Sequence, residues 1–119
     1  MRNTLVIGAS ENPERYSYLA VNRLLKFNHE VKAIGLKSGV ISGVNIDTGM
    51  PTYEGIDTIT LYINPQRQPA YYDYILSLHP KRVIFNPGTE NPELEALLRK
   101  ENIEAVEACT LVLLSTGQY

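Results

Sequence analysis

The stretch Thr4-Leu5-Val6-Ile7-Gly8-Ala9-Ser10-Glu11-Asn12-Pro13 decides the fold. Thr4 to Ile7 is a short apolar run, partly β-branched and without alternation, as a strand covered on both faces requires. It stops at Gly8, and Asn12-Pro13 marks a turn. Beyond it, Ala20, Val21, Leu24 and Leu25 fall on one face of a helix predicted from Ser17, as cap, to about Phe27.

The same alternation repeats along the chain. Strands are predicted at Glu30 to Gly35, Thr58 to Ile63, Arg82 to Phe85 and Glu104 to Glu107. Helices are predicted from Pro69 to Leu78 and from Asn91-Pro92-Glu93, where a cap, an N1 proline and an acid stand in order. Leu94, Leu97 and Leu98 supply the apolar face of the latter. Residues 38–57, with Gly39, Gly43, Gly49, Pro51 and Gly55, are expected to form a long loop, with room for a short helical turn. Leu111 to Leu114 is apolar and undecided between helix and strand. Strands alternating with helices imply an α/β, three-layer, doubly wound parallel sheet of about five strands, Rossmann-like.

The 119 residues fit one domain spanning 1–119. Eleven Lys and Arg against thirteen Asp and Glu give a net charge of −2, which argues against a nucleic-acid or membrane-surface binder. Hydrophobic residues at 44% are enough for a real core. One cysteine excludes an internal disulfide and a multi-cysteine zinc site. No apolar run approaches a membrane span and no signal-peptide pattern is visible, so a cytoplasmic location is expected.

Ligands of doubly wound sheets bind beyond the carboxyl ends of the strands, so function is sought there. Gly8 permits a tight turn and a close backbone approach, and the following helix offers free N–H groups to a phosphate. Against the pattern G-x-G-x-x-G only Gly8 is present; Ser10 and Pro13 hold the other places. A strand-to-helix turn without a ligand is the alternative. After the second strand stands Lys37, where NAD-binding domains place an acid. A cation there suits a phosphate on the adenosine ribose, as in NADP or coenzyme A; a solvated lysine is the alternative.

Asn64-Pro65 and Asn86-Pro87-Gly88-Thr89 follow the third and fourth predicted strands. Pro65 is placed to pack on an adenine ring, Gly88 to allow close approach and Thr89 to supply a hydroxyl. Taken singly, each is ordinary turn chemistry. Their coincidence at successive strand ends favours a site.

Catalytic groupings are poor. His29 and His79 lack partners at metal spacing and read as structural. Ser10 has no visible base. Cys109 reads as a buried, inert thiol, with redox use as the alternative. Tyr71, Tyr72 and Tyr74 read as packing or a dimer face.

Gly8-Ala9-Ser10, Asn12-Pro13-Glu14-Arg15 and Ser17-Tyr18 together resemble the opening of the small stand-alone coenzyme A-binding domain proteins, commonly G-A-S-x-N-P-x-R-x-S-Y. Phe85-Asn86-Pro87-Gly88 resembles their later Q-P-G segment, and Val106-Glu107-Ala108-Cys109 their closing strand and cysteine. The fold of that family is related to the coenzyme A-binding domain of the succinyl-CoA synthetase alpha subunit. The resemblance implies that Gly8, Ala9, Ser10, Asn12 and Arg15, with Tyr18, hold a pyrophosphate. It implies Lys37 near the ribose phosphate, Ile63, Asn64 and Pro65 near adenine, and Asn86, Pro87 and Gly88 on the pantetheine side. Gly35-Leu36-Lys37 replaces the family's usual N-P-K, and Asn86 replaces a commoner Gln.

The expected function is therefore non-catalytic binding of coenzyme A or an acyl-CoA. The alternatives are an NADP- or other nucleotide-dependent enzyme whose site a second subunit completes, and an interaction protein without a ligand. A homodimer or an unidentified protein partner is compatible with the small domain and its tyrosine-bearing helix.

Overall fold

The computed structural model describes residues 2–119. Seven strands form one sheet: β1 (Asn3–Ile7), β2 (Glu30–Ile34), β3 (Gly39–Ile41), β4 (Val44–Asp47), β5 (Thr58–Leu61), β6 (Arg82–Phe85) and β7 (Glu104–Glu107). Four helices accompany them: α1 (Tyr16–Lys26), α2 (Tyr72–Ser77), α3 (Pro92–Lys100) and α4 (Thr110–Ser115). The strand order is β3-β4-β2-β1-β5-β6-β7. All pairings are parallel except β3 with β4. The architecture is the doubly wound, Rossmann-like α/β fold.

The five predicted strands are present, and the sheet has two more. Of residues 38–57, expected as a loop, 48–57 are without helix or strand, but 39–47 form a hairpin. Val40 and Ile41 turn at Ser42-Gly43 into Val44 to Ile46, and β4 then joins β2 in parallel, with Ala33 opposite Ile46. Ser42 and Gly43 both have positive φ, 48° and 85°, as a two-residue hairpin turn demands. Ile41 and Ile46 are buried, which anchors the hairpin to the face beneath α1. The signal was present in the sequence as apolar residues on both sides of Ser-Gly, hidden among the other glycines.

The sheet is covered on both faces, and its side chains alternate accordingly. Leu5 and Ile7 of β1 join Ile59, Leu61, Val83 and Phe85 on the face beneath α2 and α3. Val6 points the other way, with Ala33, Val21 and Leu24, beneath α1 and α4. Leu111 to Leu114 belongs to a helix, α4, and Leu114 closes that second core. The predicted helix 69–78 divides into a 3₁₀ turn over Gln68–Tyr71 and the short α2.

Caps differ in how far local chemistry decided them. Asn91 caps α3 as expected, accepting from the N–H groups of Glu93 and Leu94. Ser17 does not cap α1. The cap position falls to Arg15, whose side chain makes no capping bond, while Ser17 is buried inside the first turn. Asn12 takes the local role instead: its Oδ1 accepts from Glu14 N at 3.0 Å and ends the loop before the helix.

At the amino end of the sheet, Asp57 meets Arg2 at 2.9 Å and Lys81 at 3.8 Å. Burial raises the Asp57 carboxyl, but hydrogen bonds from Thr58 and Arg2 and the charges of Arg2 and Lys81 outweigh it, and its pKa is lowered. A carboxyl held below its unfolded value near 3.9 stabilises the fold above that pH and loses its effect as pH falls through the folded value. Asp57→Asn should therefore flatten the fall in stability between about pH 5 and pH 2. Urea midpoints across that range test this; identical slopes in the two proteins would refute it. His29, read as structural, accepts from Arg2 N through Nδ1 at 2.9 Å at the same end.

Candidate ligand cleft

The strand order reverses at β1: the chain moves out to β2 on one side and returns to β5 on the other. The loops leaving β1 and β5 therefore diverge to opposite faces and leave a crevice at their carboxyl ends. A cleft of about 510 Å³ lies there.

The first turn forms its floor. Gly8 has φ +98°, and a Cβ on it would stand 2.8 Å from the carbonyl carbon and oxygen of Tyr62. Only glycine lets the β1 exit pass so close to the β5 exit. Gly8 N and Ala9 N both donate to Ile34 O at 2.9 Å, which fastens the turn to β2. Ser10 Oγ accepts from Asn12 N at 3.1 Å, so its hydroxyl proton stays available. Asn12 uses its Oδ1 on Glu14 N and keeps its amide donors. Both side chains thus hold the loop in shape while offering donors to an anion.

Three cations line the same space. Arg15 stands at the start of α1, Lys37 at the exit of β2 and Arg67 beyond the exit of β5. None of them forms an ion pair within 4.0 Å among the described residues. Tyr18 N donates to Arg15 O at 3.1 Å, but the amides of Tyr16 and Ser17 have no intrahelical acceptor, no side chain caps them and no acid occupies the first turn. With the helix dipole they add positive potential at the centre of the cleft. Glu11 is the acid among the lining residues.

Of the residues expected from the sequence, Gly8, Ala9, Ser10, Asn12, Arg15, Lys37 and Ile63 line this one cleft. Tyr18 does not; it packs against the core beneath α1 and α4. Asn64 is exposed and shapes the turn after β5, its Oδ1 accepting from Arg67 N at 3.0 Å. Pro65 is half-buried beside it and outside the cleft lining. Pro87 and Gly88 are exposed, also outside the lining, with Gly88 N bonded to Glu90 Oε1 at 2.8 Å.

Asn86 is turned inward. Its Nδ2 donates to Thr60 Oγ1 at 2.6 Å and to Leu61 O at 2.9 Å. Its Oδ1 accepts from Thr110 N at 2.9 Å, where α4 begins. The side chain therefore ties β5, β6 and α4 together. Thr89 spends its hydroxyl on Asn86 O. Cys109 stands at the cap position of α4, half-buried and outside the cleft lining.

Arg67, Glu11, Tyr62 and Tyr71 also line the cleft and were not foreseen as site residues. Arg67 lies six residues past Leu61, and only the Asn64 turn brings it back. Tyr62 carries a buried hydroxyl without a hydrogen-bond partner, and burial pushes its pKa up, so it remains a phenol. Tyr71 reads in sequence as packing; here it does pack on the core and also borders the cleft. Its neighbours are packing residues: Tyr74 bonds Pro51 O, and Tyr72 bonds Asn91 and Glu93.

These features define a small Rossmann-like domain with an electropositive crevice at its topological switch point. The chain belongs to the CoA binding domain family, whose model matches residues 2–115. It is similar to a crystal structure of an uncharacterized protein, at 54% identity and a TM-score of 0.98 over 100% of this chain and 98% of that one. It is similar in fold to a conserved hypothetical protein from Pyrococcus furiosus, at 24% identity and a TM-score of 0.81, covering 94% of this chain and 98% of that one. The fold also recurs in an acetyl-coenzyme A synthetase from Ca. Korarchaeum cryptofilum, at 15% identity and a TM-score of 0.70, over 89% of this chain but 25% of that one. No curated protein matches the chain. Among the described residues, no helix is long and apolar enough to cross a membrane.

Proposed function

We propose that the protein binds coenzyme A, free or acylated, in the cleft at the exits of β1, β2 and β5, and performs no chemistry on it. One observation carries this reading: three unpaired cations and the uncapped start of α1 converge on a single crevice floored by Gly8. Such an arrangement suits a ligand with phosphate groups at two separated points. The pyrophosphate lies at the start of α1, held by free N–H groups, Ser10, Asn12 and Arg15. The ribose 3′-phosphate lies toward Lys37, on the β2 side. Ile63 and Tyr71 offer apolar surface to the adenine. Family membership supports the choice of coenzyme A over other dinucleotide-like ligands. The Pro87-Gly88 loop contacts the pantetheine arm only if the ligand runs on past the cleft toward β6. Asn86 acts there through the shape of that loop rather than by direct contact.

Calorimetric titration with coenzyme A, dephospho-coenzyme A and NADP tests the reading. Binding of coenzyme A, weakened without the 3′-phosphate, is the expected result. A response to NADP alone would point to a nucleotide-dependent enzyme, and silence toward all three to an interaction protein. Lys37→Ala should weaken coenzyme A about tenfold, the worth of one charge-assisted phosphate contact. Dephospho-coenzyme A should bind both proteins alike; equal weakening of both ligands would remove Lys37 from the ribose phosphate.

A further inference from the structure

Lys37 stands on a short bridge between β2 and β3, and both ends of that bridge are fastened to the first turn. At one end, Gly35 packs so tightly on the first turn that a Cβ would lie 2.3 Å from Ala9 O. At the other, Val40 N donates to Glu11 Oε2 at 2.9 Å. The Glu11 side chain also fills the space where residue 39 would carry a Cβ: that atom would stand 2.3 Å from its carboxyl carbon and 2.6 Å from its Cγ. Gly39 is therefore the seat of Glu11. Without this clasp, residues 36–38 are exposed and free of side-chain hydrogen bonds that would hold them.

The placement of Glu11 runs against simple electrostatics. An acid in a cleft lined by Arg15, Lys37 and Arg67 repels the anion those cations attract. Its geometry supplies a compensating role: it joins the loop that faces a pyrophosphate to the loop that carries Lys37. We propose that Glu11 is a positioning residue for ligand specificity, holding Lys37 at the distance from the first turn that separates a pyrophosphate from a ribose 3′-phosphate. The proposal rests on the coenzyme A reading. It adds that the preference for the 3′-phosphorylated ligand comes from Lys37 together with the Glu11–Gly39 clasp.

The test is the ratio of affinities for coenzyme A and dephospho-coenzyme A, measured by calorimetry on the full chain and its variants. In E11A the ratio should fall about tenfold, with dephospho-coenzyme A bound within about twofold of the unmodified protein. E11Q keeps an oxygen acceptor for Val40 N and loses only the charge, so the ratio should hold or rise. G39A should displace the carboxyl and behave like E11A, and adding G39A to E11A should change nothing further. Removing a negative charge alone would raise affinity for the more anionic ligand, so a ratio that rises or stays level in E11A overturns the proposal. So does a thermal midpoint lowered equally by G39A in the presence and absence of Glu11, a reading that needs no ligand. Silence of the unmodified chain toward coenzyme A would overturn the underlying reading and this proposal with it. A normal ratio in the unmodified chain, preserved in E11A and G39A, overturns this proposal alone.

Discussion

Asn86→Ala should lower the stability of the domain by roughly 3 kcal/mol, the summed cost of stranding several buried hydrogen-bonding groups. The residue is 3% exposed and every polar atom of its side chain is engaged. Alanine leaves Leu61 O and Thr110 N without their side-chain partner. It also removes one of two partners from Thr60 Oγ1, which keeps its 2.8 Å contact with Thr110 Oγ1. Thr110 is wholly buried, so water cannot substitute without opening the junction of α4 with the sheet. A loss of that size shifts the thermal midpoint by roughly 10 °C or more in a domain of this length. Urea unfolding should show a lower midpoint with an unchanged slope, as a change in native-state stability alone requires. A loss below about 1 kcal/mol would mean that the network carries little energy. Measured where the variant is still folded, affinity for coenzyme A should be close to that of the unmodified protein. A large loss of affinity there would give Asn86 a direct part in binding.

Gly35→Ala should damage both the fold and the cleft. The added methyl meets Ala9 O at 2.3 Å and Ile46 Cγ2 at 2.9 Å. The first of these is backbone, and Ala9 N is bonded to Ile34 O, so the first turn cannot step aside without losing its tie to β2. Overpacking of this kind costs about 1–3 kcal/mol where the neighbours can yield. Here yielding means moving residues 8–12, the floor of the cleft. Affinity for coenzyme A should therefore fall by more than about tenfold even below the thermal midpoint, since a displacement of about 1 Å misplaces donors that must sit within hydrogen-bond distance. Thermal unfolding and calorimetry on the same preparation separate the two effects. Unchanged affinity in a destabilised protein would show that the first turn does not touch the ligand.

Four of the five predicted strands were legible because each is a short, largely apolar stretch closed by a glycine or an Asn-Pro pair. Val83-Ile84-Phe85 before Asn86-Pro87 and Leu5-Val6-Ile7 before Gly8 are the clearest cases. The β3–β4 hairpin was not, because Val40 and Ile41 become a strand only by pairing with Val44 and Asn45, and β4 holds only by pairing with β2. The cap of α1 went astray for a related reason. Ser17 has the chemistry of a cap, but the loop that Asn12 and Ser10 shape delivers the chain into the helix two residues earlier.

For the cleft, position after a strand found Gly8 and Lys37, since the first residues beyond a parallel strand must emerge at its carboxyl end, and the family resemblance added Arg15. The same rule could not tell which exits share a crevice. That depends on strand order, and nothing local in the chain states that β5 lies beside β1 while β6 lies one place further out. The family resemblance put Asn64 near adenine and Asn86 on the pantetheine side. The folded protein spends one on a turn and the other on the junction with α4. Local patterning thus determined five of the seven strands and the residues at their ends, because apolar period and turn chemistry act between near neighbours, and the opening motif pointed to the family. Only the tertiary structure decided which strand ends meet, which side chains face inward, and that Glu11 reaches Gly39, because those depend on pairings between segments far apart in the chain.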